Sequence, residues 1–341
     1  MLESQHIKWL ELMNRAKTEG WTCLPSPPDE RDWPLSRMAE PVTVPASVRL
    51  DGLVTRIMDQ GRCGLCAGFS GAQIGNIAAN QQKNLPDGGG LSPLFLYTLC
   101  KQEDGIPNQE GTFPRVVLKV MERDGITPEK LLPYTLLDQT ACLKLPTVKI
   151  EHLAAAAPYR IKAYARLQSV DEMKQALAGG KLILGGILTT TSFHTYNGSG
   201  LVPLPEGTIT GMHAIVICGY DDAIKAFRMI NSWGTTWGDG GFAWLGYDFC
   251  NWQSDMGMTA LNEAWAVEFG EILQPSQPDS LLIEMWIGSK QAKINGVSYT
   301  LDVAPEIKDG RTMLPARFIA EAQGCQVDYT ASTKKIEIRK K

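Results

Sequence analysis

Apolar positions recur at helical spacing through the first half of the chain and at strand spacing through much of the second. Near the start, Ile7, Leu10, Leu12 and Met13 predict one helical face. From Cys66 the run AGFSGAQIGNIAAN is small and apolar at helical period, so a buried helix is expected to begin at that cysteine. LSPLFLYTLCK (Leu91–Lys101) and FPRVVLKVMERDG (Phe113–Gly125) predict two more helices, the second stopped by its glycine.

After about residue 155 the texture changes. SVDEMKQALAGG reads as a short helix with a Ser169-x-x-Glu172 capping box and a glycine stop. The runs KLILGGILTT, HAIVICGYDD, AFRMINSW and GGFAWLGYDF then predict strands, and their turn-rich connections suggest a twisted antiparallel sheet. A helical first half and a β second half give an α+β fold in two packed lobes. The first 50 residues are loosely patterned and proline-rich (LPSPPDERDWP), as expected of an extension wrapping the surface of the main folded unit at 51–270. LQPSQPD (Leu273–Asp279) marks a linker, assigned to 271–281. Residues 282–341 form a separate small α+β unit: strand, turn at Asn295-Gly296, strand, helix Pro315–Gln323 and a closing hairpin.

At 341 residues, 44% hydrophobic and 21% charged, the chain is ordinary for a globular protein with more than one domain. A net charge of −4 gives no electrostatic footprint for nucleic acid. No apolar run approaches the roughly 18 residues that span a membrane. The N-terminus lacks the charged-then-apolar pattern of a secretory signal, so a cytoplasmic location is the default expectation. Eight scattered cysteines leave the redox compartment open.

The candidate chemistry centres on DQGRCGLCAGFS, where Cys63 and Cys66 stand at CxxC spacing. A zinc site needs about four ligands. There is no second CxxC, and His6, His152, His194 and His213 show no ligand spacing, so no metal or cofactor is expected. A redox dithiol fits the helix start but lacks a βαβ surround. The third possibility is one reactive thiol. Cys66 at a helix head would feel the positive end of the dipole, which favours thiolate. Gln60 offers a side-chain N–H for an oxyanion, together with the Cys66 backbone N–H. His213 opens the strand HAIVICGY and supplies a base; Asn231, at the head of NSWGTTWGDGGF, could fix its tautomer, with Trp233 covering that bond. Gly234, Gly238, Gly240 and Gly241 supply unusual backbone conformations for the loop. Each feature alone has a bland explanation; together and in order they do not.

QGRCGLC, MHA with CGYD, and NSWGTTWG closely resemble the papain-like cysteine peptidases over roughly residues 25 to 270, with the likeness greatest to bacterial members. The resemblance implies a two-lobe papain-like fold with the cleft between a helical and a β lobe. It further implies Cys66 as nucleophile, His213 as base and acid, Asn231 as orienter and Gln60 as oxyanion donor, hydrolysing peptide bonds through an acyl-enzyme. Gly64, Gly111, Ala214 and Trp233 take the substrate-binding positions, and a peptide or protein is the implied substrate of a monomer. The family's usual partner for Cys63 is missing from EGTF (Glu110–Phe113), whereas Cys100 and Cys142 fall where a second family disulfide sits. Leu65 and Ala67 replace the usual neighbours of the nucleophile, which keeps a catalytically silent peptide-binding relative as the alternative. No long helical propeptide is recognisable in residues 1–50.

INGVSYTLDVAPEIKDGRTMLPARFIAEAQGCQVDYTASTKKIEI strongly resembles the copper amine oxidase N-terminal-like domain of Gram-positive bacteria. The segment contains no histidine, which argues against a copper site. It implies an accessory module for a protein or cell-surface ligand, and with it an extracellular or cell-surface location.

Overall fold

The computed structural model describes residues 2–38, 42–86, 88–254, 258–272 and 282–340. Helix α1 (Leu2–Glu19) presents Trp9, Leu12, Met13 and Ala16 to the core, while Ile7 and Leu10 are exposed. The expected face is thus rotated: spacing i, i+3, i+4, i+7 from Trp9 makes a continuous stripe, and Ile7 falls off it.

Helix α2 (Cys66–Gln81) begins at the expected cysteine and is buried from Cys66 through Ala79. Its small residues let neighbours close in. A Cβ on Gly68 would lie 2.9 Å from the Pro93 carbonyl, at the start of α3 (Pro93–Glu103). A Cβ on Gly71 would lie 2.8 Å from Val117 of α4 (Pro114–Arg123). Both α3 and α4 start with proline at the first helical turn, where its missing N–H costs nothing. Ser92 caps α3 by accepting from the Phe95 amide at 3.1 Å. After α5 (Ile150–Ala156) the chain enters the sheet.

The strands are β1 (Ser47–Arg49), β2 (Ile161–Leu167), β3 (Leu182–Thr190), β4 (Ile209–Asp221), β5 (Ala226–Ile230), β6 (Phe242–Gly246) and β7 (Leu261–Phe269). They form an antiparallel sheet in the order β2-β7-β3-β4-β5-β6, with β1 added along β4. Period-two alternation splits β3 between two cores. Leu182, Leu184 and Leu188 face helices α2–α4; Ile183 and Ile187 face the opposite core, with Met173 of α6 (Val170–Ala178) and Phe193 of α7 (Thr191–His194). Ser169 caps α6 by accepting from the Glu172 amide, but Glu172 returns to the Gln168 amide rather than closing the box on Ser169. The GGFAWLGYDF run stops being strand at Gly246 and turns into α8 (Tyr247–Asn251).

The expected linker lies largely outside the described residues. Beyond it, β8 (Ile283–Met285), β9 (Gln291–Ile294) and β10 (Val297–Thr300) make a small sheet. The β9–β10 hairpin turns on Asn295 and Gly296, both at positive φ (48° and 83°), as a two-residue hairpin turn requires. Hairpins β11 (Glu306–Lys308)–β12 (Arg311–Met313) and β13 (Cys325–Thr330)–β14 (Lys335–Lys340) flank α9 (Ala316–Ala322). Ala292, Ile294, Tyr299, Leu301 and Phe318 form this domain's core, and Ile150 and Leu153 of α5 pack against it.

Candidate active site

The head of α2 meets the middle of β4. Cys66 is the first residue of α2 and is fully buried. His213 lies within β4 rather than opening it, because pairing with β3 starts earlier, at Ile209. Asn231 is the first residue after β5. The structure thus brings Cys66, His213 and Asn231 to one place.

Asn231 Oδ1 lies 2.7 Å from His213 Nε2. The same oxygen accepts the Ser232 amide at 2.7 Å, which fixes which end of the carboxamide faces the ring. An amide oxygen only accepts, so Nε2 carries the proton and Nδ1 is left for the sulfur. Trp233 covers this bond, its ring centroid 4.6 Å from that of His213. His194 stacks on Trp233 at 4.9 Å with the planes 12° apart. Burial, reinforced by the His213 charge, depresses the His194 pKa. The glycines of the loop, Gly234, Gly238, Gly240 and Gly241, all sit at positive φ, between 59° and 93°.

Cys23, His213 and the Ala214 backbone are the polar neighbours that act on the Cys66 sulfur. Donation by Cys23 is the largest influence holding the Cys66 thiol well below its ordinary pKa; burial opposes it, and the His213 hydrogen bond and charge reinforce it. Conversely, Cys23 is raised well above its ordinary value by that hydrogen bond, then by burial and the Cys66 and Glu263 charges.

Gln60 is buried, with Nε2 donating to the Cys63 carbonyl at 2.9 Å and Oε1 accepting from Ser232 Oγ at 2.7 Å. The bond to Cys63 uses one of the two amide hydrogens. Gly64 donates its amide to Glu110 at 2.8 Å and Gly111 donates to the Tyr97 hydroxyl at 2.9 Å; both glycines lie against Thr22, and so share one wall. The buried Lys101 fixes that wall through the carbonyls of Ile106, Gln109 and Gly111. Ala214 is fully buried beside Cys66.

The disulfide expectation is corrected. Cys142 pairs with Cys63, their Cα atoms 5.4 Å apart, and Cys100 is a free buried thiol. Cys100 lies inside α3, among apolar side chains that raise its pKa, whereas the loop bearing Cys142 folds down beside the start of α2. Among the described residues, the grouping close enough for a metal is Cys63, Glu110 and Cys142, and two of its three ligand atoms are spent in that disulfide.

The start of the proline-rich segment and the residues just before it form a strap across the site, while residues 26–34 stay half-buried or exposed. Trp21, Cys23 and Leu24 are buried. Cys23 bridges Thr112 in parallel register and the Leu24 amide donates to the Thr112 carbonyl at 3.1 Å. The approach depends on glycine: at Gly111, with φ +85°, a Cβ would sit 2.1 Å from the Thr22 carbonyl oxygen. Further along, the Ser26 amide donates to the buried Glu263 at 3.0 Å, and Arg115 pairs with Asp32 at 2.9 Å. Sequence reasoning missed Cys23 and His194. The apolar WTCL amid prolines is the signal for the first; nothing in the sequence marks the second.

Residues 44–260 match the papain family cysteine protease profile. The chain belongs to the papain family. Residues 278–338 match the copper amine oxidase N-terminal domain, and the chain's four histidines all precede it, so the domain offers copper no imidazole. Xylellain, a cysteine protease from Xylella fastidiosa, superposes with a TM-score of 0.61 at 28% identity, covering 74% of this chain and 96% of that one. Peptidase 1 of Euroglyphus maynei is 27% identical over 213 residues, 60% of this chain and 61% of the relative. Thiol protease aleurain of Arabidopsis thaliana is 27% identical over 199 residues, 57% and 53%. The chain therefore spans little more than half the length of these curated relatives. No described helix is long and apolar enough to cross a membrane.

Proposed function

We propose that this papain-family chain is a cysteine endopeptidase in which Cys66 is the nucleophile, His213 the base and acid, Asn231 the orienter and Gln60 an oxyanion donor. The carrying observation is the relay itself: a sulfur at a helix head beside an imidazole that acts on it, the ring held at Nε2 by Asn231. The Cys66 thiolate attacks the scissile carbonyl carbon, and the oxyanion forms toward the Gln60 amide and the Cys66 N–H. Protonated His213 then gives its proton to the leaving amine, and an acyl-enzyme results. Water, deprotonated by His213, attacks the acyl carbon; the thiolate leaves.

Gly64 and Gly111 are proposed as the wall along which substrate backbone docks, supported by the way a strand of the chain itself already lies there. Trp233 is proposed on the leaving-group side and Ala214 in the specificity pocket. The proposed division is an extension at 1–50, a peptidase unit at 51–270, a linker at 271–281 and an accessory domain at 282–341. Exposed Ile307, Met313, Tyr329, Ile336 and Ile338 support a binding or attachment role for that domain.

Stoichiometric labelling by an epoxide thiol inhibitor tests the assignment. Label lost in Cys66→Ala and peptide hydrolysis lost in both Cys66→Ala and His213→Ala are expected. One observation favours a silent peptide-binding relative: Cys66 has no exposed surface with the strap in place. Peptide binding without cleavage by the reduced wild-type protein would decide for it.

A further inference from the structure

Cys23 takes no part in the chemistry proposed above, yet it is a fully buried thiol in the same core cluster as Cys66, on a strand whose Thr22 packs against Gly64, two residues before the nucleophile, and its side chain acts directly on that of Cys66. Its backbone position is fixed independently of that contact. Thr22 lies against Gly64 and Gly111, the Leu24 amide is bonded to Thr112, and Trp9 Nε1 holds the Pro25 carbonyl at 2.8 Å. The remaining free cysteines have other surroundings: Cys100 is within α3, Cys218 donates to the Arg228 carbonyl, Cys250 is in α8 and Cys325 belongs to the C-terminal domain.

We propose that Cys23 and Cys66 form a reversible dithiol–disulfide pair, through which hydrogen peroxide or a small hydroperoxide fastens the N-terminal strap across the cleft. The inference rests on the thiolate role proposed for Cys66. That thiolate attacks the peroxide oxygen; the O–O bond breaks, hydroxide leaves, and Cys66 becomes a sulfenic acid. Cys23 sulfur then attacks Cys66 sulfur as the S–O bond breaks. The Cys23 proton leaves with the hydroxyl as water, so the two thiols have supplied the two electrons that reduce the peroxide. With its pKa raised, Cys23 is the slower of the two thiols toward peroxide, so Cys66 is the one oxidised first. A dithiol reductant reverses the linkage by exchange and frees the nucleophile. Without a resolving neighbour, the sulfenic acid proceeds to the irreversible sulfinic state.

The test treats the reduced full chain with hydrogen peroxide, blocks free thiols with N-ethylmaleimide, and maps peptides without reduction. Wild type is expected to lose hydrolysis and Cys66 alkylation together, to yield a Cys23–Cys66 linked peptide, and to recover both with dithiothreitol. Cys23→Ser is expected to lose hydrolysis without recovery, with Cys66 found as the sulfinic acid. Oxidised wild type without the linked peptide, or a Cys23→Ser variant that recovers as fully as wild type, overturns the pairing. The two proposals separate cleanly. A linked peptide in a protein that hydrolyses nothing upholds the pair and sinks the peptidase reading; hydrolysis without linkage does the reverse.

Discussion

Asn231 holds the His213 ring through a single atom: Oδ1 lies 2.7 Å from Nε2, while Nδ2 is buried without a hydrogen-bond partner among the described residues. The amide therefore acts on the ring as acceptor alone. Asn231→Ala should leave the ring free to turn from the sulfur, lowering kcat by about 10²-fold through misplacement. KM should change little, and steady-state kinetics on a peptide substrate read the split.

The Cys66–Cys23 contact sets a pH dependence. Cys66 sits below its ordinary value, first because Cys23 donates to it. The anion is therefore already present below pH ~8.5, where a free thiol is largely protonated. Removing the donor raises the value, so Cys23→Ala should move the acid limb of the Cys66 alkylation rate to higher pH. Cys23→Ser keeps a donor and should move it less. Rates of iodoacetamide labelling across pH measure both.

The Cys63–Cys142 bond closes a loop with sequence separation 79. Cys142→Ala should lower stability by about 2–4 kcal/mol under oxidising conditions, through the freed unfolded chain. Cys100→Ala leaves that bond in place and should keep the wild type's dependence on reductant, which Cys142→Ala should lose. Thermal melts with and without dithiothreitol distinguish the two.

Gly111→Ala places a methyl where the Thr22 carbonyl now lies and forces it onto a positive φ. The strap should lift. Faster amide exchange at Leu24, whose N–H is bonded to Thr112, with unchanged exchange in β3 and β4, is the expected signature.

Local pattern made much of this molecule readable before its coordinates. The small, apolar α2 announced both a buried helix and its starting cysteine, and β3 to β6 were visible as apolar runs. Strands β2 and β7 were not. IKAYARL and LNEAWAVEF carry Arg166 and Glu263 mid-strand, and only the tertiary pairing of these two charges with each other and with the strap explains them. The candidate site could be read because Gln60 and Cys66 share QGRCGLC and Asn231 heads NSWGTTWGDGG, with His213 opening the apolar run between them. Cys142 was assigned to the wrong partner, since disulfide connectivity depends on where a loop returns in space. Cys23 escaped for the same reason: what a proline-rich segment crosses is a property of the fold.

Ile150 and Leu153 lend their side chains to the C-terminal domain's core, so the tail is not a free-swinging pendant. Traction on whatever that domain grips would be transmitted through α5 into the papain-family unit, and detaching it would strip two aliphatic anchors from both partners at once.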